Sequence, residues 1–167
     1  MPISPEQFRE IFGSFPTVVA IITAVDDQGE PRGFTCNAVC SVSVAPPLLL
    51  ISVDKRSQTL PALESSQAFV VNFLSASGQE ASQIFAGKGQ DKFTHVRWRP
   101  SEVAGGAPIL SDVALAYAEC RVVQTVEAGD HWLFIGQVEG GGTQPHEPLL
   151  YCQGEYSVWP QLVPYGG

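Results

Sequence analysis

Charged residues are scarce, 16% of the 167 positions, where soluble domains carry about a quarter. A chain so poor in charge is expected to bury part of its surface against a partner subunit or a large ligand. Cations are scarcer still. Nine Lys and Arg stand against 17 Asp and Glu, a net charge of −8. A surface that neutralises nucleic-acid phosphates needs the opposite sign, so a nucleic-acid partner is not expected. No apolar run approaches the roughly 18 residues of a membrane span. The opening Met1-Pro2-Ile3-Ser4-Pro5-Glu6 lacks the basic and apolar segments of a signal peptide, and a cytoplasmic protein is expected.

Catalytic signatures are missing too. There is no G-x-G-x-x-G, no G-x-x-x-x-G-K-[ST] and no G-x-S-x-G. The three histidines, at 95, 131 and 146, form no H-E-x-x-H. The four cysteines include one C-x3-C pair, Cys36 and Cys40, with Cys120 and Cys152 alone. Zinc sites usually show two close pairs, so these read as small strand side chains in a reducing compartment, with no metal expected.

What is present alternates short strands with turns. Ser4-Pro5-Glu6-Gln7 is a helix start with a capping box, and Phe8, Ile11, Phe12 and Phe15 recur on one helical face until Gly13 and Pro16 close the segment. Thr17–Val25 reads as one strand buried on both faces, and Arg32–Ser43 as a second. Leu48–Val53 and Ala68–Leu74 are further strands, with short helices near Thr59–Ser65 and Gln79–Phe85. Residues 87–106 read as irregular. Ala114–Val126 and Trp132–Val138 form a hairpin around Glu127-Ala128-Gly129-Asp130. Gly140 to Pro148 reads as a loop and Leu149–Trp159 as a last strand. Six or seven strands without regularly alternating long helices predict a closed antiparallel barrel as one domain over residues 1–160, followed by a C-terminal tail, 161–167.

Two segments invite chemistry. Asp54-Lys55-Arg56-Ser57-Gln58-Thr59 lies between a buried strand and a helix start, where free amides, hydroxyls and two cations suit a phosphate. An ordinary helix cap with solvated cations would look the same. Thr35-Cys36-Asn37-Ala38, leading into Ser41-Val42-Ser43, alternates small and polar residues that fit either a flat polar ligand or a plain strand face.

Together these segments resemble the flavin reductase-like family, whose fold is the FMN-binding split β-barrel. The resemblance rests on eight landmarks in order: Phe15-Pro16-Thr17-Val18-Val19, Gly33-Phe34-Thr35-Cys36-Asn37-Ala38, Ser41-Val42-Ser43 with Pro46-Pro47-Leu48, Asp54 to Leu60, Phe69-Val70-Val71-Asn72, Asp91-Lys92-Phe93, Gly129-Asp130-His131, and Tyr151-x-x-Gly154-x-Tyr156. It implies a mainly β, antiparallel, Greek-key-like barrel with short peripheral helices. It implies that Thr35, Cys36, Asn37, Ala38 and Val39 line the flavin, with Ser43 on the same wall. Asp54, Lys55, Ser57 and Thr59 match the phosphate turn, and Phe85, Gly87 and Lys92 the stretch that closes over the flavin. His131 and Tyr156 match positions associated with the nicotinamide nucleotide. Cys36, where many relatives carry Val or Thr, and Cys152, where many carry His, depart from the pattern.

The resemblance implies an NAD(P)H:flavin oxidoreductase, with FMN or FAD and NADH or NADPH, that supplies reduced flavin to a partner monooxygenase and forms a homodimer. No side chain is expected to act as a catalytic nucleophile, acid or base, because the flavin carries the chemistry. The alternatives are a flavin carrier without turnover and an oxidase of pyridoxamine-phosphate type.

Overall fold

The computed structural model describes residues 1–89 and 91–159; the tail expected over 161–167 lies outside them. Strand β1 (Thr17–Val18) is followed after one residue by β2 (Ala20–Val25), and β3 (Pro31–Cys36) returns beside β2 through the Asp26–Gly29 turn. The single strand expected over 17–25 is therefore broken at Val19. Its first two residues leave the main sheet to pair with β11 (Leu149–Cys152). The strand expected over 32–43 is also two, β3 and β4 (Val39–Val44), with Asn37 and Ala38 in neither ladder.

The remaining strands of the main sheet are β5 (Pro47–Asp54), β6 (Ala68–Leu74), β9 (Ala114–Ala128) and β10 (His131–Thr143). The seven lie in the order β3-β2-β6-β9-β10-β5-β4, all antiparallel. The first and last strands of that order are consecutive in the chain. Three peptide steps from Cys36 to Val39 reach at most about 11 Å, so the two edges must meet and the sheet must curl into a barrel. No ladder joins β3 to β4 among the described residues. The barrel is split there rather than closed as the strand pattern predicted.

Three short helices are peripheral: α1 (Pro5–Gly13), α2 (Leu60–Ser66) and α3 (Gln79–Ala86). The capping box of α1 is formed, Ser4 Oγ accepting from Gln7 N at 3.2 Å while Gln7 Oε1 accepts from Ser4 N at 3.1 Å. Lys92–His95 is a 3-10 turn, and the small pair β7 (Arg99–Pro100) and β8 (Pro108–Ile109) orders part of the segment expected to be irregular. The last expected strand is a hairpin, β11 with β12 (Glu155–Val158), turning at Gln153 and Gly154.

The glycine run is not a loop. Gly140, Gly141 and Gly142 continue β10 against β9, because side chains or backbone from β9 occupy the space a Cβ would need. A Cβ on Gly141 would stand 2.6 Å from Tyr117 O, and one on Gly142 2.8 Å from the Tyr117 ring.

One core fills the barrel, with Ile22, Ile51, Leu63, Phe69 and Phe134 fully buried. A second packs outside it around Ile21, Leu74, Phe85, Leu110 and Leu149, between α3 and the β1-β11-β12 sheet.

Candidate functional site

Strand β5 ends at Asp54, and the chain turns through 55–59 into α2. The Asp54 carboxylate accepts from Arg56 N at 2.8 Å, Arg56 Nε at 3.1 Å and Arg56 Nη2 at 2.8 Å. That guanidinium, then the Arg56 amide, hold the Asp54 carboxyl far below the usual carboxylate range. Ser57 Oγ accepts from Thr59 N at 3.3 Å, and Leu63 N closes the first helical turn on Thr59 O. With Pro61 inside it, α2 spans seven residues, and no side chain caps it.

This turn forms one wall of a groove of about 420 Å³ whose other wall is Phe34, Thr35 and the end of α3. Three cations and one carboxylate line it, namely Arg56, Lys88, Lys92 and Asp54. In a chain of net charge −8, that local excess of cations over carboxylates would attract an anion. Lys92 Nζ donates to Gly33 O at 3.1 Å and Phe85 O at 3.0 Å, which binds α3 to β3, and burial lowers its pKa.

A second, more apolar groove of about 850 Å³ opens along the split. Its floor is the ladder-free Asn37-Ala38 link with Leu50, Ser52 and Leu133, and Phe8 and Phe12 of α1 overhang it. Those two rings stack at 4.4 Å between centroids. The apolar face of α1 is thus about half exposed, Phe8 at 52% and Phe12 at 53%, rather than packed into a core. His131 stands at the far wall. It begins β10 after the two-residue turn Gly129-Asp130, where Gly129 takes φ 61°. His131 Nδ1 lies 2.7 Å from Asp130 Oδ1, and this bond lowers the Asp130 pKa. The two grooves share no lining residue, but they draw on the same stretches of chain, Thr35 lining one and Asn37 the other, Asp54 lining one and Ser52 the other.

The expected site residues divide accordingly. Thr35, Asp54, Ser57, Thr59, Gly87 and Lys92 line the cationic groove, and Asn37, Ala38, Val39 and His131 the apolar one. Cys36 does not face either, because its side chain points into the barrel core and donates to Ser52 O at 3.8 Å. Burial pushes its thiol up to about 11. Phe85 borders the cationic groove, but it is fully buried. Its ring lies beneath Gly33, at 3.0 Å from where a Cβ would stand there, and edge-on to Phe93. It supports the wall from below instead of closing over a ligand. Lys55 turns away from the anion groove to pair with Glu127 and lies 5.7 Å over the Trp132 ring. Ser43 sits farther along β4, beyond a register shift, opposite Leu48, and borders neither groove. Tyr156 is held by the β11–β12 hairpin against α3, its hydroxyl 2.9 Å from Ser82 Oγ, and does not reach the groove of His131. The Ser82 carbonyl accepts from Thr35 Oγ1 at 2.5 Å, so Tyr156 braces the wall behind Thr35.

Residues that the resemblance did not assign include Lys88, Ser52 and the α1 phenylalanines, and Arg56, which was read only as one of the two cations of the 54–59 segment. Arg56 was legible as a charge beside Lys55. The others reach the grooves only through pairing and helix placement, which leave no local signal.

The family model described as flavin reductase like domain matches residues 12–160. A flavin reductase (NADH) of Kitasatospora aureofaciens is 43% identical over 160 residues, 95% of this chain and 83% of the relative. The reductase subunit HsaB of a flavin-dependent monooxygenase of Mycobacterium tuberculosis is 38% identical over 158 residues, 93% of this chain and 82% of its own. Among solved structures, the NADH:FAD oxidoreductase SgcE6 of Streptomyces globisporus, in complex with NAD and FAD fragments, is similar with a TM-score of 0.88 and 34% identity, over 98% of this chain and 99% of that one.

Proposed function

Since the chain belongs to the flavin reductase-like domain family, we propose that its two adjoining grooves are where it carries out that family's reaction. The protein is an NAD(P)H-dependent flavin reductase, an enzyme that uses FMN or FAD with NADH or NADPH. The observation that carries the site assignment is that a cation-lined groove and a flat, ladder-free strip of backbone are built from residues two apart in the chain, Thr35 and Asn37, and Asp54 and Ser52.

The residues suit a flavin. Among the described residues, the peptide groups of Asn37 and Ala38 belong to no strand ladder; the Ala38 carbonyl accepts from Ser52 N at 3.0 Å and the Ala38 amide bonds to the Cys36 thiol. The Asn37 peptide and side-chain amide can hydrogen-bond the polar edge of a flat ring, while Leu50, Leu133 and Phe12 offer its faces apolar contact. Arg56, Ser57 and Thr59 then take the phosphate, with Lys88 adding charge at the rim. Bound flavin supplies the hydride acceptor. His131, oriented by Asp130, is positioned to hold the nicotinamide nucleotide over the Asn37-Ala38 strip, and the α1 rings exclude water from that groove. Bringing two rings to roughly 3–3.5 Å is the chain's main contribution to rate.

The exposed α1 face fits a homodimer in which a second copy covers Phe8, Ile11 and Phe12. Sedimentation equilibrium at micromolar protein should show twice the chain mass of 17.9 kDa. Reduced flavin would pass to a partner monooxygenase, as the name of the HsaB subunit says of that protein. No helix among the described residues is long and apolar enough to cross a membrane. A cytoplasmic setting suits the nicotinamide donor and the four free cysteines.

Steady-state oxidation of NADH and NADPH with FMN, FAD and riboflavin in turn tests the function. Stimulated oxidation with at least one pair is expected. Absence of turnover with every pair would leave a flavin carrier.

A further inference from the structure

Most of the nine Lys and Arg of the chain are already engaged. Six are paired with carboxylates: Arg9 with Glu6, Arg32 with Asp26, Lys55 with Glu127, Arg56 with Asp54, Arg97 with Asp112 and Arg121 with Glu139. Arg99 donates to the Tyr117 hydroxyl, and Lys92 to two backbone carbonyls. Lys88, with Arg56 and Lys92, lines the cationic groove, which the flavin phosphate takes on the assignment above. None of the nine lines the larger groove, the one bordered by Asn37 and His131.

That groove carries a carboxylate instead. Asp130 is among its lining residues, with a side chain 85% exposed. Charges around the hairpin tip do not balance. Arg56 answers Asp54 and Lys55 answers Glu127, whereas Asp130 is bonded to His131 and to its own amide. The His131 bond holds the Asp130 carboxyl below the usual aspartate range, so it is ionised at neutral pH. An anion brought to the His131 ring therefore meets a carboxylate 2.7 Å from Nδ1.

The two nicotinamide donors differ by one group, a phosphate on the 2′-hydroxyl of the adenosine ribose. Dinucleotide sites of other folds place an arginine there for the phosphorylated form and a carboxylate, accepting from the hydroxyl, for the other. At about 850 Å³ against about 420 Å³ for the cationic groove, the larger groove has room for more of the donor than its nicotinamide ring. A carboxylate has about four acceptor sites, so Asp130 keeps capacity for a ribose hydroxyl beside its present bonds.

We propose that the hydride donor of this protein is NADH in preference to NADPH, and that Asp130 sets the choice, accepting from the ribose and repelling the additional phosphate. The inference rests on the assignment of the larger groove to the nicotinamide nucleotide.

The test compares kcat/KM for NADH and for NADPH, at one saturating flavin, in the wild type, Asp130→Asn and Asp130→Lys. Asp130 does not take a positive φ, so both replacements fit the turn, and flavin binding serves as the fold control. The wild type should favour NADH by about tenfold or more, because a carboxylate and a phosphate dianion a few Å apart repel even through water. The readout is the ratio of the two donors, since a change in how His131 is held lowers both together. Asp130→Asn removes the charge and keeps an acceptor for His131, and the ratio should fall by about threefold or more. Asp130→Lys should carry it further toward NADPH. A wild type that uses the two donors equally, or prefers NADPH, overturns the proposal. A ratio that neither variant moves overturns the part given to Asp130. No turnover with either donor would instead overturn the reductase reading, and an unchanged KM for both donors in His131→Ala the placement of the donor in this groove.

Discussion

His131 and Asp54 face each other as partners in the β5–β10 ladder. That pairing sets the tip of the β9–β10 hairpin beside the 55–59 turn, and Lys55 N donates to Asp130 O at 3.0 Å to tie the two turns together. The hairpin and the anion turn are therefore one rigid unit. On the proposed assignment, a nucleotide held at His131 and a flavin held at Ser57 would keep a set separation, as ring stacking requires.

His131→Ala should raise the KM for NAD(P)H by about fivefold or more, the worth of one lost hydrogen bond of about 1 kcal/mol. Flavin affinity should stay within twofold, because the proposed flavin contacts are the Asn37-Ala38 strip and the 56–59 turn, and His131 stands at the opposite wall bonded to Asp130. Steady-state kinetics with parallel flavin titration separate the two. A normal KM would reduce His131 to a turn residue bonded to Asp130.

Ser57→Ala and Thr59→Ala should each weaken FMN more than riboflavin. Each removes a donor near a charged phosphate, worth about 1.5–3 kcal/mol, or roughly tenfold to a hundredfold. Equal losses for the two flavins, read by fluorescence titration, would put the phosphate elsewhere.

The thiols should divide by burial. Cys40 is exposed, whereas Cys36 and Cys120 are buried and their thiols are pushed up to about 11 and about 12 by desolvation. Iodoacetamide at pH 8 should modify Cys40 first and leave Cys36 and Cys120 unmodified in the folded chain, as peptide mass spectrometry would report. Cys36→Val should keep flavin reduction. Rapid labelling of Cys36 would mean that it faces the site after all.

Asp26 supplies an acid-side stability term. The amide of Glu30, together with Arg32 and the Gln28 amide, holds its carboxyl below the ordinary aspartate range. A carboxyl lowered on folding contributes stability that is present above its unfolded pKa and lost as pH falls through the folded one. Asp26→Asn should therefore lower Tm at pH 7, and the gap to wild type should close as pH falls below about 4. A gap independent of pH from 7 to 2 would assign the effect to packing.

Much of this protein was determined by the sequence alone, wherever short-range rules decide. The Ser4–Gln7 capping box, the strand Ala68–Leu74 and the position of the 54–59 turn depend on neighbours a few residues apart and are found where the pattern puts them, and the hairpin connection expected over Glu127–Asp130 is found there, tightened to Gly129-Asp130. The ordered landmarks likewise carried the family and its reaction. Tertiary structure decided what depends on partners far along the chain. Arg32–Ser43 is uniformly strand-like, yet it breaks at Asn37-Ala38 because its two halves pair with β2 and β5 at opposite ends of the sheet. Gly140–Gly142 looks like a loop until Tyr117 and Glu119 on β9 fill the space their side chains would have taken. Lys55 reads as a phosphate ligand, but Glu127 and Trp132, brought beside it by the β5–β10 and β9–β10 ladders, turn it away. Cys36 and Phe85 carry nothing in their local sequence to say which face they take. The barrel interior claims one and the packing beneath Gly33 claims the other, because a buried position is defined by the elements that close over it.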